Sequence, residues 1–161
     1  MDEQIELINL LQTIPWFQEL EPEIFNKISG ICELVSFEAG QHLFREGDKE
    51  DYLYIVIEGR VAVEIHVPGR GKMRIYTAEA MDIIGWSSIT PVVRQRTAGA
   101  RAVLPSRLVR MQATQLYKLC DDDHDLGYVV MRRLSNVVAS RLLTTRLQLL
   151  DMFAHPEAKE A

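Results

Sequence analysis

Residues Phe37 to Val63 read FEAGQHLFREGDKEDYLYIVIEGRVAV. Short β-branched and aromatic runs alternate here with Gly40, the Gly47-Asp48 pair and Gly59. Runs this short, closed by turn-forming residues, are strands joined by tight connections. The same punctuation extends on both sides. LVSFEAG (34–40), QHLFREGD (41–48), YLYIVIEGR (52–60), VAVEIHVPGRG (61–71) and KMRIYTAEA (72–80) follow one another, and AGARAV (98–103) and RLVRMQ (107–112) resume after a gap. Strands at this spacing, with no helices between them, predict an antiparallel sandwich, roll or barrel.

Helical patterns flank the strands. Ile5 to Leu11 is apolar at helical spacing, and Glu21-Pro22-Glu23 opens a second short helix with proline and acids in its first turn. After Gln112 the periodicity becomes helical again, and the clearest helix is expected from Asp121-Asp122-Asp123 to about Phe153. About 33 residues at a rise of about 1.5 Å make it roughly 50 Å long, which exceeds so small a roll. Its apolar positions (Leu126, Val130, Leu134, Val137, Val138, Leu142, Leu149, Met152) exceed what one stripe against one sheet requires. Covering the surplus with a second copy predicts a homodimer; the alternative is a helix folded back along its own domain. The reading is thus one domain over 1–161: N-terminal helices in 1–33, a β-roll in 34–118, a long C-terminal helix in 119–154 and a polar tail, HPEAKEA, in 155–161.

Composition narrows the function. Of 161 residues, 47% are hydrophobic and 25% charged, as in a soluble globular protein, and no apolar run approaches the ~20 residues of a membrane span. The start, MDEQIELINLL, is acidic where a secretory signal would be basic, so a cytoplasmic location is expected. A net charge of -5 argues against a chain devoted to neutralising nucleic-acid phosphates. Cys32 and Cys120 lie far apart and read as reduced thiols. His42, His66, His124 and His155 include no His-x-His pair of the kind a cupin metal site uses, and there is neither a G-x-S-x-G elbow nor a P-loop. His124 and Asp125, after the acidic run, read as a solvated helix cap. No enzyme activity, metal or cofactor is expected.

The run from Phe37 to Val63 resembles the start of a cyclic nucleotide-binding domain, the β-roll module of bacterial catabolite activator-type regulators, kinase regulatory subunits and gated channels. Gly40, Gly47, Asp48, Tyr54, Gly59 and Gly85 fall where that family has its turn glycines and their neighbours. The resemblance covers roughly Ile14 to Met152. It implies helices, an eight-stranded antiparallel jelly-roll-like β-roll, and a long C-terminal helix that closes over a ligand pocket and pairs with its twin. In catabolite activator-type regulators a winged helix-turn-helix follows that helix; none follows here, so direct DNA binding is not expected.

The stretch GWSSITPVVRQRTA (85–98), which interrupts the strands, resembles the family's phosphate cassette. By that resemblance Gly85 is the cassette glycine, Ser87 and Ser88 begin a short helix whose N–H groups face the cyclic phosphate, and Arg96-Thr97-Ala98 supplies the arginine that pairs with it. Arg96 is the leading candidate, with an internal salt bridge as the alternative; Thr97 is a possible phosphate partner, and Arg94 reads as a loop charge. Trp86 departs from the pattern: the family's glutamate there accepts from the ribose 2'-hydroxyl, and an indole has no acceptor. Trp86 either compensates by stacking or covering, or fills the ribose space. Asn136 and Ser140, about one turn apart, are the polar candidates for base contacts. Two readings follow. One is a non-enzymatic sensor of a small anionic ligand, a cyclic nucleotide with cAMP ahead of cGMP, that signals through the C-terminal helix to an unknown downstream protein, with no membrane role. The other is a degenerate fold that binds no nucleotide and serves as a dimerising interaction module.

Overall fold

A computed structural model describes residues 2–49, 52–89 and 95–155. Arg94 and the tail residues 156–161, both read above from sequence, lie outside the described residues. Among the described residues the chain opens with α1 (Asp2–Thr13), α2 (Pro15–Gln18) and α3 (Pro22–Ser29). Eight strands follow: β1 (Cys32–Phe37), β2 (His42–Phe44), β3 (Tyr52–Glu58), β4 (Val61–Val67), β5 (Gly71–Ala78), β6 (Ile83–Ile84), β7 (Gly99–Ala102) and β8 (Ser106–Gln112). The chain then closes with α4 (Ala113–Asp122) and α5 (His124–Ala154). The strands form two antiparallel four-stranded sheets, ordered β1-β8-β3-β6 and β2-β7-β4-β5. This is the β-roll with flanking helices and a long C-terminal helix that the strand pattern and the resemblance implied.

Two apolar clusters explain the unusually continuous hydrophobicity of YLYIVIE. Leu53 and Ile55 of β3 face a cluster shared with the helices, which includes Leu11, Ile14, Phe17, Ile28, Leu116 and Leu126. Tyr54 and Val56 point the other way, between the sheets, onto Val61, Ala78, Ala100 and Leu108. A strand covered on both faces has no polar side to present, so alternation disappears. By contrast β5 is largely exposed, with Met73 and Ile75 in contact with solvent.

Three expectations need correction. The interhelical stretch holds an additional short helix, α2, whose entry is favoured by Pro15 in its first turn. The two-residue strand β6 pairs with Tyr54 and Ile55 of β3; two residues are too few to carry a period. The long helix begins at His124, because Asp121 and Asp122 belong to the last turn of α4. Asp123, extended at φ -134° and ψ 102°, breaks the two helices and caps α5, its carboxylate accepting from the Asp125 and Leu126 N–H groups at 3.1 and 3.2 Å. Gly127 lets α5 start against α4, since a Cβ there would sit 2.8 Å from the Cys120 carbonyl oxygen.

Candidate functional site

The interruption between β6 and β7 is organised around one glycine and one arginine. Gly85 has a φ of 75°, and a Cβ on it would lie 2.7 Å from the Tyr52 carbonyl oxygen and 2.9 Å from Arg96 Nη1. Left-handed backbone and lack of space therefore both require glycine. The chain continues as a 3-10 helix, Trp86–Ile89, in which the Ser88 N–H donates to the Gly85 carbonyl at 3.0 Å. Ser88 is buried, and its hydroxyl has no hydrogen-bond partner among the described residues. Ser87 is half-buried.

Arg96 is only 4% exposed. Its Nη1 donates to the Gly85 carbonyl at 3.2 Å and its Nη2 to the Tyr52 carbonyl at 2.6 Å, and the guanidinium lies 4.0 Å above the centre of the Phe44 ring. The backbone around it is pinned to the β2–β3 connection: the Arg96 N–H donates to the Asp48 carbonyl and the Gly47 N–H to the Arg96 carbonyl, both at 2.8 Å. The Asp48 carboxylate in turn accepts from the Arg45 N–H at 2.8 Å, closing that turn. The Gly47-Asp48 pair thus does more than reverse the chain; it fixes the arginine's depth. Beneath lies an aromatic wall in which Phe37, Phe44 and Tyr52 all pack on Tyr54, with ring centres 6.1 to 6.5 Å apart. Burial pushes the Tyr54 hydroxyl above its ordinary pKa, with Arg110 and Arg96 pulling the other way. The site therefore offers a buried cation, an apolar floor and a polar backbone rim. Thr97 is exposed beside it.

The structure separates the other candidates from this cluster. Trp86 is half-buried against the larger apolar cluster under the helices. Asn136 and Ser140 are exposed on α5 and line a cavity of about 350 Å³ with Trp16, Tyr76, Asp82 and Arg141; Arg96 is not among its walls. Phe44, Tyr52 and Arg141 had no signal in the sequence: two are strand aromatics like their neighbours, and the third is one arginine of several on α5.

Comparison with known proteins places this geometry. Residues 34–123, more than half of the chain, match the family model described as cyclic nucleotide-binding domain. Over 136 residues the chain is 28% identical to a CRP-like cAMP-activated global transcriptional regulator of Mycobacterium tuberculosis, a match covering 84% of this chain and 58% of that protein. The chain thus spans less than two thirds of that relative's length. A crystal structure of a cyclic nucleotide-binding domain from Methylobacillus flagellatus aligns with a TM-score of 0.78 at 25% identity, covering 93% of this chain and 84% of that one. The catabolite activator protein of Thermus thermophilus shares the fold, with a TM-score of 0.70 at 24% identity over 89% of this chain and 65% of that one. The chain belongs to the cyclic nucleotide-binding domain family.

Proposed function

We propose that this cyclic nucleotide-binding domain is a non-enzymatic sensor that takes a cyclic nucleotide, cAMP ahead of cGMP, through its phosphate. The observation that carries the reading is the burial of Arg96 against Gly85. A guanidinium at 4% exposure lies in a low-dielectric setting, where an anion entering the site interacts with it far more strongly than with a surface arginine. Gly85, Ser87 and Ser88 form the rim on the phosphate side, with Thr97 at its edge. Asn136 and Ser140 line the cavity beside α5, so a base contact made by either would make ligand binding and helix position one equilibrium.

The output is α5. Its distal face exposes Leu142, Leu143, Leu147, Leu149, Leu150 and Phe153, all at 49% or more, and a second copy of the helix covers them in a homodimer. The position of α5 is then the signal. No described helix is long and apolar enough to cross a membrane.

One observation favours the second reading, a nucleotide-free dimerising module: Trp86 is drawn into the apolar cluster and leaves no ribose acceptor at its position. Calorimetry with cAMP and cGMP separates the two. The sensor reading expects saturable heat and a thermal shift below millimolar ligand. Arg96→Ala should keep the fold and weaken binding about 100-fold, through loss of charged hydrogen bonds. Absence of heat and of thermal shift with both nucleotides at millimolar concentration establishes the module reading instead.

A further inference from the structure

We propose that Arg141 is the positioning residue that couples the guanidinium of Arg96 to the position of α5; the ligand side of this coupling rests on Arg96 being the anion-binding group. The helix is anchored early, by the buried Leu126, Val130 and Leu134. Further along it passes over the cavity of about 350 Å³ that separates it from the roll. Two side-chain bonds to strand carbonyls tie the helix to the roll, Arg141 Nη2 to Ile83 at 2.8 Å at the cavity and Gln148 Nε2 to Ile75 at 2.9 Å beyond it. The middle of α5 is therefore held by polar ties as well as by the half-buried Val137, and such ties reset without repacking a core.

The Ile83 tie lies next to the candidate site. Arg141 stacks 3.4 Å from the centre of the Tyr76 ring; the Tyr76 hydroxyl donates to Asp82 at 2.8 Å, and the same Asp82 oxygen accepts from the Glu79 N–H at 2.9 Å. This network grips the entrance to β6. The segment is stiff: Met81 before it and Gly85 after it both have a φ of 75°, and Ile83 and Ile84 are buried and paired with β3. Two arginines from distant parts of the chain hold carbonyls two residues apart on it, Arg141 at Ile83 and Arg96 at Gly85. An anion that draws Arg96 off the Gly85 carbonyl changes the seating of the peptide that Arg141 holds, and by linkage the seat of α5 sets the affinity at Arg96.

The test is amide hydrogen exchange over residues 137–150 of the full chain. Without nucleotide, Arg96→Lys should change exchange there about threefold in the parent and not at all in an Arg141→Gln background. At saturating cAMP the same segment should respond in the parent and in Gln148→Ala, but not in Arg141→Gln. A response that survives in Arg141→Gln overturns the coupling. The two proposals fail separately. A parent that binds no nucleotide yet shows the Arg141-dependent response to Arg96→Lys retains the coupling and loses the ligand, and a nucleotide response independent of Arg141 does the reverse. Where Arg141→Gln does not fold by circular dichroism, Arg141→Met replaces it: it keeps an unbranched stem over Tyr76 and loses every hydrogen-bond donor to the Ile83 carbonyl, and a preserved response in that variant likewise overturns the coupling.

Discussion

The two halves of α5 are built from similar residues and do different things. From Leu126 to Leu134 the helix is core: Leu126 and Val130 are fully buried and Leu134 nearly so, packed on α4, the N-terminal helices and the outer face of the β3 sheet. From Leu142 to Phe153 the same helix exposes six large aliphatic side chains and a phenylalanine. At 31 residues and a rise of about 1.5 Å it is about 46 Å long, whereas the longest strand, of eight residues, spans about 26 Å. Hydrophobicity in a helix specifies that something will cover it; the length of the partner surface decides what.

The comparison is broken most directly at the core. Leu126→Ala should cost about 2–5 kcal/mol in urea unfolding, whereas Leu147→Ala, at 59% exposure, should stay within about 0.5 kcal/mol at concentrations where the chain is monomeric. Equal costs would mean that the halves do not differ. Next in size, Leu150→Asp should raise the dimer dissociation constant about 30-fold or more in sedimentation equilibrium, with little change in monomer stability; a parent that stays monomeric at 100-fold higher concentration than the assay range, by order of magnitude, removes the distal role. Smaller still is Gly127→Ala. Helix propensity alone predicts a gain of about 1 kcal/mol, but the new Cβ would lie 2.8 Å from the Cys120 carbonyl, so we expect a net loss of about 1–2 kcal/mol, measured in the same unfolding assay.

The smallest effect is electrostatic and tests the boundary where the anchored half begins. The Asp123 carboxylate accepts from Lys27 Nζ at 2.8 Å and from the first N–H groups of α5, and these partners, Lys27 first, hold its pKa below the ordinary 3.8. The unfolded chain therefore binds its proton at higher pH than the folded one. The contribution is complete above the unfolded value and is lost as pH falls through the folded one. Asp123→Asn should therefore lower stability at neutral pH, where the contribution is complete, and converge with the parent as pH falls through the folded value, flattening the acid limb; equal stability at neutral pH with an unaltered acid limb would show that the pair contributes nothing.

How legible each part was in the sequence follows from how local its cause is. Gly40, Gly47, Gly59 and Gly85 all have positive φ, so each marked a real turn from its own residue type. The strands between them were readable because β-branched runs and turn residues act over a few positions. β6 was not: its two isoleucines are a strand only because β3 lies beside them. The acidic run at Asp121–Asp123 was read as one helix start, but only Asp123 caps; Asp122 instead pairs with Lys118 at 2.8 Å in the preceding helix. Arg96 was singled out by its place after the cassette glycine. Its hold on Tyr52, 44 residues away, and its stack on Phe44 were invisible, because contacts between sheets leave no pattern in either segment.

By itself, then, the sequence determined the class of fold, the turns, the surplus hydrophobicity of the last helix, and the glycine and arginine of the cassette, all consequences of residue chemistry acting over short spans. Only the tertiary structure decided how deep Arg96 lies, that Trp86 packs under the helices, that Asn136 and Ser140 face a separate cavity, and that Arg141 reaches across it to the strand leading into Gly85. Those facts depend on which surfaces meet when the sheets and the helices close on one another, and that meeting is set by packing between segments far apart in the chain.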